Sequence, residues 1–191
     1  MIRKDEIFPS SFPRLVVELG MGDGRLLETL AKNDHDSLYI GIELDNDQCR
    51  LAQSRISLSN VAIINRSFKD VVPRFLDESI DEFLSVLPDP AFIDIEKEHH
   101  WKPFYKEIYI KLKKGGRLRL ITELTNELWH PVSDKEYSKW SDRLKFTFES
   151  LGFVLSAHKE GAPGQYFSSC LEQFRGDPKR IRMITLDLLK H

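Results

Sequence analysis

The 191-residue sequence contains few cysteines: Cys49 and Cys170 are its two, and they lie far apart, outside any Cys-x-x-Cys pairing. This scarcity argues against a disulfide scaffold and a cysteine-rich zinc site, and it favours a reducing intracellular compartment. The chain also lacks a long apolar run that could form a transmembrane helix. The first eight residues turn acidic at Asp5 and contain no signal-peptide core. We therefore expect a cytoplasmic protein that is not associated with membranes.

The sequence has little net charge, because 28 lysines and arginines face 30 aspartates and glutamates. Their distribution is uneven. Residues 1–100 carry 11 basic and 19 acidic side chains, whereas residues 101–191 carry 17 basic and 11 acidic ones. A molecule polarised in this way could present one basic face to a polyanion. Ordinary scatter among solvated side chains would give the same distribution, so the charge alone leaves both interpretations open.

Short apolar segments alternate with segments of helical periodicity along the whole chain. The predicted strands cover residues 15–19, 38–43, 61–64, 80–87, 117–122, 153–155 and 181–188. The predicted helices cover residues 24–32, 45–58, 69–75, 100–113 and 134–151. This alternation indicates parallel β-α-β units in a Rossmann-like α/β sheet with helices on both faces. No long helix separates the last two strands, so the last strand is expected to be antiparallel. Without repeats or linkers, residues 1–191 form one predicted domain.

A glycine-rich stretch, Glu-Leu-Gly-Met-Gly-Asp-Gly from Glu18 to Gly24, follows the first predicted strand and opens the first helix. Glycines at 20, 22 and 24 allow a sharp turn and a close approach by a ligand. The helix N-terminus adds N–H donors that suit a carboxylate or a phosphate. The spacing differs from the dinucleotide pattern Gly-x-Gly-x-x-Gly, because that pattern would place its third glycine at Arg25.

Two acidic residues identify the ligand class more closely. Glu18, directly before the loop, would be unfavourable beside a pyrophosphate but suits a cationic group. Glu43 ends the second predicted strand, where a carboxylate can accept hydrogen bonds from both hydroxyls of a ribose. S-adenosylmethionine carries an amino group, a sulfonium and a carboxylate that match these features. We therefore predict that Glu18, Gly20, Gly22, Gly24 and Glu43 bind S-adenosylmethionine; the alternative is a glycine-rich turn beside two solvated acids.

With these features, nearly the whole chain resembles the class I S-adenosylmethionine-dependent methyltransferases. The resemblance implies a seven-stranded sheet whose last strand is antiparallel. The turn Leu87-Pro88-Asp89-Pro90 follows the fourth predicted strand. Ligands of open α/β sheets bind beyond the carboxyl ends of the strands, so Asp89 is expected to face the same crevice as the glycine loop. The alternative is a simple turn in which the aspartate makes local hydrogen bonds.

The Pro-Asp-Pro turn looks like the Pro-Asp-Pro-Trp element of the tRNA (guanine-N7-)-methyltransferases. Three further segments are similar to that family: Ile40-Gly41-Ile42-Glu43, Thr122-Glu123 after Gly115-Gly116, and Ser169-Cys170-Leu171-Glu172 in place of a Thr-x-x-Glu element. The resemblance implies that Asp89 is catalytic and that Ser67 contacts the cofactor. It also implies that Glu123, Ser169 and Glu172 bind the substrate, which would be tRNA; the family element that Ser169 and Glu172 match contacts the substrate base or the cofactor. Without the resemblance, Ser169 and Glu172 are typical of the first turn of a surface helix.

The sequence also departs from that family. Ala91 stands where the family has tryptophan, residues 92–97 replace a segment rich in lysine and arginine, and Arg66-Ser67 replaces an acidic residue after the third strand. We expect methylation of guanine N7 in tRNA. The alternatives are a methyltransferase for a small molecule or a protein, and a cofactor-binding relative without catalysis. No metal is expected, because the adjacent His99 and His100 would not point at one ion.

Overall fold

The computed structural model describes residues 12–125 and 130–191. The strands are β1 (Arg14–Leu19), β2 (Ser37–Glu43), β3 (Val61–Asn65), β4 (Ile80–Val86), β5 (Leu112–Leu124), β6 (Phe153–Glu160) and β7 (Arg182–Lys190). They form one seven-stranded sheet in the order β3-β2-β1-β4-β5-β7-β6. Strands β1 to β5 pair in parallel, and β7 runs antiparallel to both of its neighbours. The predicted Rossmann-like sheet with an antiparallel last strand is thus confirmed.

Six helices accompany the sheet in the described residues: α1 (Arg25–Asn33), α2 (Asn46–Arg55), α3 (Phe68–Val71), α4 (Glu98–Lys111), α5 (Asp134–Ser150) and α6 (Ser169–Arg175). Three short 3-10 turns cover Val72–Arg74, Pro90–Phe92 and Ile95–Lys97. None of the helices in these ranges has the length and the apolar character needed to cross a bilayer.

The helices cover both faces of the sheet because side chains alternate along each strand. Val17 of β1 belongs to a buried cluster with Tyr105 of α4 and Phe148 of α5. Val16 points to the opposite face and belongs to a second cluster with Leu27 of α1. The chain order reverses between β1 and β4, so the connections that follow these strands leave a crevice at their carboxyl ends.

The helix predicted over residues 100–113 ends earlier, at Lys111, and the following residues belong to β5. Residues 113–116 form an irregularity in the pairing of β4 with β5. The helix ends where Leu112, buried and already extended, pairs with Ile80 of β4. The amine of Lys113 donates to both carboxylate oxygens of Asp81 at 2.8 Å. Gly115 turns the chain here with a φ of +73°.

Side-chain caps set the starts of three helices: Asp45 caps α2, Ser133 caps α5 and Ser168 caps α6. Asp45 is the first residue of the helix predicted over residues 45–58, and its carboxylate accepts hydrogen bonds from two backbone N–H groups of the first turn at 2.8 and 2.9 Å. Ser133 lies one residue before the start of the helix predicted over residues 134–151. Ser133 is the cap because Glu136 completes a capping box with it, in which the carboxylate of Glu136 accepts the N–H of Ser133 at 2.8 Å.

Candidate functional site

The glycine loop lies at the carboxyl end of β1, where the N–H of Gly20 donates to the carbonyl of Ile42 at 2.8 Å. Gly20, Gly22 and Gly24 have φ values of +70°, +56° and +75°, a conformation that favours glycine. A Cβ atom on Gly20 or Gly22 would meet nothing within 4 Å, whereas one on Gly24 would lie 2.9 Å from Cδ1 of Ile56. The first two glycines are therefore open to a ligand, and the third packs against the protein.

Glu43 lies beside this loop as predicted, and backbone N–H groups occupy most of the acceptor positions of its carboxylate. Oε2 accepts the N–H of Gly22 at 2.9 Å, and Oε1 accepts the N–H groups of Leu44 and Asp45 at 2.8 Å each. A carboxylate offers about four acceptor positions, so about one remains on Oε2. This geometry leaves room for one hydrogen bond to a ligand hydroxyl, fewer than the two expected for a ribose.

Glu18 is a buried acid with an unused oxygen. The residue is 3% exposed, and its Oε2 atom has no hydrogen-bond partner among the described residues. Burial, reinforced by the nearby charges of Asp23 and Glu43, raises the pKa of Glu18 to about 8. The side chain is therefore mostly neutral at pH 7, and a positively charged ligand group would supply the missing partner and favour ionisation.

Glu18 lines a cavity of about 250 Å³ at the carboxyl ends of β1 and β4. The other lining residues are Gly20, Met21, Gly22, Asp23, Leu26, Gln48, Val86, Leu87, Ser168, Ser169 and Cys170. Ser169 is thus brought to the glycine loop. Glu172 is exposed on α6 and does not line this cavity. Gln48 was not predicted, since a glutamine in the first turn of a helix carries no distinctive sequence signal.

Asp89 lines a second cavity, of about 160 Å³. The other lining residues are Leu19, Gly20, Phe68, Ser85, Val86, Leu87, Pro88, Phe92, Phe104 and Tyr105. Gly20, Val86 and Leu87 line both cavities, so the two spaces adjoin across the end of β4. The structure therefore places Asp89 in the same crevice as the glycine loop.

Asp89 also has a local role in the turn. Its Oδ1 atom accepts the N–H of Ala91 at 2.8 Å and caps the 3-10 turn that follows. Leu87, two residues earlier, has a φ of +51°, a conformation that costs a bulky residue about 1–3 kcal/mol. Its N–H donates to the carbonyl of Ile121 at 2.8 Å, which holds this strained turn against β5. Asp89 therefore lines the crevice and also makes the local hydrogen bond expected of a simple turn.

Glu123, near the end of β5, is a second acid with an unused buried oxygen, Oε2. Burial raises the pKa of Glu123 to about 7. It lines a cavity of about 860 Å³ together with Pro90, Ile93, Asp94, Ile95, Glu96, Lys97, Leu124, Thr125, Val132, Glu136, Lys139, Trp140 and Arg143. Asp89 lines the cavity of about 160 Å³, and its neighbour Pro90 lines the cavity of Glu123.

Ser67 precedes α3, and its side chain makes no capping hydrogen bond. Ser67 does not line the cavity of Asp89, whereas its neighbour Phe68 does. Phe68 packs against Phe92 and Phe104 with ring centroids 4.7 and 5.1 Å apart. These aromatic residues come from three separate segments, so the sequence did not reveal the cluster.

Within residues 12–125 and 130–191, no group of three or more histidine, cysteine or acidic side chains is placed to hold a metal ion.

Comparison with known proteins gives a family and a fold. Residues 13–151 match the profile of the family described as "Putative methyltransferase". The tRNA (guanine-N(7)-)-methyltransferase of Aquifex aeolicus is 31% identical over 124 residues, which cover 60% of this chain and 41% of that protein. The enzyme of the same name from Pseudoalteromonas atlantica is 27% identical over 139 residues, 68% of this chain and 56% of that protein. The chain therefore spans less than two thirds of the length of these relatives.

A solved structure shares the architecture. The 16S rRNA (adenine(1408)-N(1))-methyltransferase of Catenulisporales acidiphilia, determined with its cosubstrate S-adenosylmethionine, superposes with a TM-score of 0.69 at 13% sequence identity. The superposition covers 100% of this chain and 92% of that one. At this identity the likeness shows the fold alone, and the substrate named for that enzyme is not transferred to this chain.

Proposed function

This chain belongs to the methyltransferase family whose profile matches residues 13–151, and we propose that it transfers a methyl group from S-adenosylmethionine to N7 of a guanine in tRNA. The observation that carries the proposal is the pair of adjoining cavities. One contains the open glycine loop and Glu18, the other contains Asp89, and both are lined by Gly20. The relatives named as tRNA (guanine-N(7)-)-methyltransferases support the choice of acceptor. A tRNA acceptor fits a cytoplasmic location.

The residues of the first cavity fit S-adenosylmethionine. The open faces of Gly20 and Gly22 admit the ligand to the backbone, and the unpaired Oε2 of Glu18 suits its amino group. Outside that cavity, the free acceptor position on Glu43 beside Gly22 suits one ribose hydroxyl. We keep Ser67, which lines neither cavity, as the residue proposed to contact the adenine. When bound, the cofactor supplies an electrophilic methyl group on its sulfonium.

The acceptor chemistry asks little of the protein beyond alignment. Guanine N7 has a lone pair in the plane of the ring and no proton to remove, so the reaction needs no strong base. Holding the base in line with the methyl group can supply much of the acceleration. Oδ1 of Asp89 serves the turn, which leaves Oδ2 to orient the base or to stabilise its developing positive charge.

Glu123 and the late helix complete the proposed acceptor site. The unpartnered Oε2 of Glu123 can accept a hydrogen bond from an N–H group of the base. Ser169 lies in the cofactor cavity and Glu172 on the exposed side of α6, so we assign contact with the reacting groups to Ser169 and contact with the RNA to Glu172. A guanine within folded RNA must leave its stack to enter the crevice. The excess of basic residues after position 100 would hold the RNA backbone.

The test is transfer of label from S-adenosylmethionine carrying a radioactive methyl group. The protein is incubated with separate tRNA, protein and small-molecule fractions. We expect label in tRNA, at a guanine where borohydride and aniline then cleave the strand, as they do at N7-methylguanine. Label in the protein or small-molecule fraction would assign a different acceptor. Cofactor binding without transfer to any fraction would identify a binding relative that has lost catalysis.

A further inference from the structure

The glycine loop packs against the last turn of α2. A Cβ atom on Gly24 would lie 3.0 Å from Cβ of Ala52 and 2.9 Å from Cδ1 of Ile56, so the loop backbone packs directly on this turn. Arg55, between those two residues, donates from Nη1 to the carbonyl oxygen of Asp23 at 2.9 Å. The loop is thus held to α2 by close packing and by a charged hydrogen bond to its backbone.

Arg55 also compensates a negative charge inside the site. The carboxylate of Asp23 is 16% exposed and lies 2.9 Å from Nε of Arg25 and 3.5 Å from Nη2 of Arg55. Asp23 lines the same cavity as Glu18, and its charge contributes to the raised pKa of Glu18. Each arginine near Asp23 therefore reduces the repulsion that opposes ionisation of Glu18.

We propose that Arg55 is a positioning residue of the cofactor site, which fixes the glycine loop on α2 and compensates Asp23 next to Glu18. Arg55 does not line the cavity and acts through the loop. The part that concerns the loop can be measured on the protein alone. The part that concerns ligand affinity rests on the proposed binding of S-adenosylmethionine.

The charge effect has a defined direction. Besides Asp23 on its own loop, Glu18 faces Glu43 at the end of β2, and Cys170 of α6 lines the same cavity. Removal of the Arg55 charge leaves Asp23 compensated by Arg25 alone. Ionisation of Glu18 then requires a higher pH, and the affinity for a cationic ligand rises at a correspondingly higher pH. A purely structural contact would lower the affinity at every pH but leave the pKa of Glu18 in the free protein unchanged.

The experiment compares Arg55→Gln and Arg55→Lys with a control, Arg50→Gln. Arg50 lies on the same helix with a side chain that is 71% exposed and a single loose ion pair to Asp47 at 3.8 Å. Hydrogen exchange of the Gly22 and Gly24 amides is followed by NMR without ligand. The carboxyl carbon of Glu18 is titrated by NMR in the free protein from pH 6 to 9.5, and affinity for S-adenosylmethionine is measured by calorimetry at pH 7.

We expect the two amides to exchange about tenfold faster in Arg55→Gln, the scale of one lost charge-assisted hydrogen bond, and the pKa of Glu18 to rise above its value in the parent. Arg55→Lys keeps the charge, so it should restore the pKa of Glu18 while recovering the exchange rates only in part. Arg50→Gln should match the parent in both measurements.

Parent-like amide exchange in Arg55→Gln would overturn the positioning role, and an unchanged pKa of Glu18 would overturn the charge role. A parent protein that does not bind S-adenosylmethionine would instead contradict the proposed function, and the exchange measurement would still decide whether Arg55 holds the loop. Effects in Arg50→Gln as large as those in Arg55→Gln would show that any charge loss on α2 suffices, which also contradicts the inference.

Discussion

The carboxylate of Glu43 accepts the backbone N–H of Gly22 at 2.9 Å and so joins the end of β2 to the middle of the glycine loop. The same carboxylate holds the turn into α2 through two further N–H groups. Asn65 at the end of β3 adds bonds from its side-chain amide to the carbonyls of Glu43 and Leu44 at 3.1 and 3.2 Å. The cofactor loop is therefore fixed by neighbouring strand ends as well as by its own glycines.

Replacement of Glu43 by glutamine should affect both the fold and the ligand. The amide nitrogen cannot accept a hydrogen bond, so at least one backbone N–H loses its partner. We expect the free energy of unfolding to fall by about 1 kcal/mol and the affinity for S-adenosylmethionine to fall about tenfold. Denaturant unfolding and calorimetry measure the two effects. Asp47→Asn, at an exposed site of α2, is the control; equal losses in both variants would contradict the assignment.

Glu18 predicts a pH dependence of ligand binding. Its pKa is raised to about 8, so the carboxyl group in the free protein is mostly protonated at pH 6 and about half ionised near pH 8. A cationic ligand binds the ionised form, so affinity should rise with pH by up to about tenfold per unit until the pKa is reached. The measurement is calorimetry between pH 6 and 7.5, below the range in which the amino group of the ligand loses its own charge.

Glu18→Gln is the control for this pH dependence. It should bind S-adenosylmethionine weakly and with a flat pH profile, since glutamine does not titrate. The folded pKa of Glu18 exceeds its unfolded value, so its contribution to stability is full below pH 4.5 and is lost as pH rises through about 8. The variant should therefore gain stability over the parent at pH 8 and not at pH 4. A steep profile in Glu18→Gln would assign the titration to another group.

Local sequence patterns predicted the parts of the site that one segment builds. The glycine loop, Glu43 and the position of Asp89 follow from strand ends and turn residues, because parallel strands bring their carboxyl ends to one edge. The arrangement of the second cavity did not follow, because Phe68, Phe92 and Phe104 meet only through tertiary packing. The early end of α4 was also missed, because the strand pairing of buried Leu112 with Ile80 is a distant contact that the local pattern does not contain.

The structure gives different surroundings to Ser169 and Glu172, which the sequence analysis assigned together to substrate binding. Ser169 lines the cavity with Glu18, whereas Glu172 is exposed on α6 and has no place there. We expect Ser169→Ala to reduce methyl transfer at saturating tRNA. Glu172→Ala should change only the KM for tRNA. Steady-state kinetics with both variants make the comparison, and a lower kcat in Glu172→Ala alone would reverse the two assignments.

Two glycines of the loop should respond differently to alanine. Gly20 faces open space, so Gly20→Ala should cost only about 1 kcal/mol for its left-handed backbone while its methyl group obstructs the ligand. In Gly24→Ala the new methyl group would meet Ala52 at 3.0 Å and Ile56 at 2.9 Å, so the loss of stability should be larger, about 2–3 kcal/mol. Thermal unfolding and calorimetry distinguish the two. A stable Gly20→Ala variant with parent affinity would place the ligand elsewhere.

Asp89 allows its two roles to be separated by a pair of variants. Asparagine keeps an oxygen that can accept the N–H of Ala91, so Asp89→Asn should preserve the turn, whereas Asp89→Ala loses this cap. If the charge acts on the acceptor, methyl transfer should fall by roughly 10²-fold in both variants. Affinity for S-adenosylmethionine should stay close to the parent in both, because Glu18 and the glycine loop lie in the adjoining cavity. Single-turnover methylation of tRNA measures the rate.

A parent rate in Asp89→Asn together with a slow Asp89→Ala would restrict the aspartate to shaping the turn. The charge for the acceptor site would then have to come from Glu123, whose buried Oε2 has no partner among the described residues and which shares a cavity with Pro90.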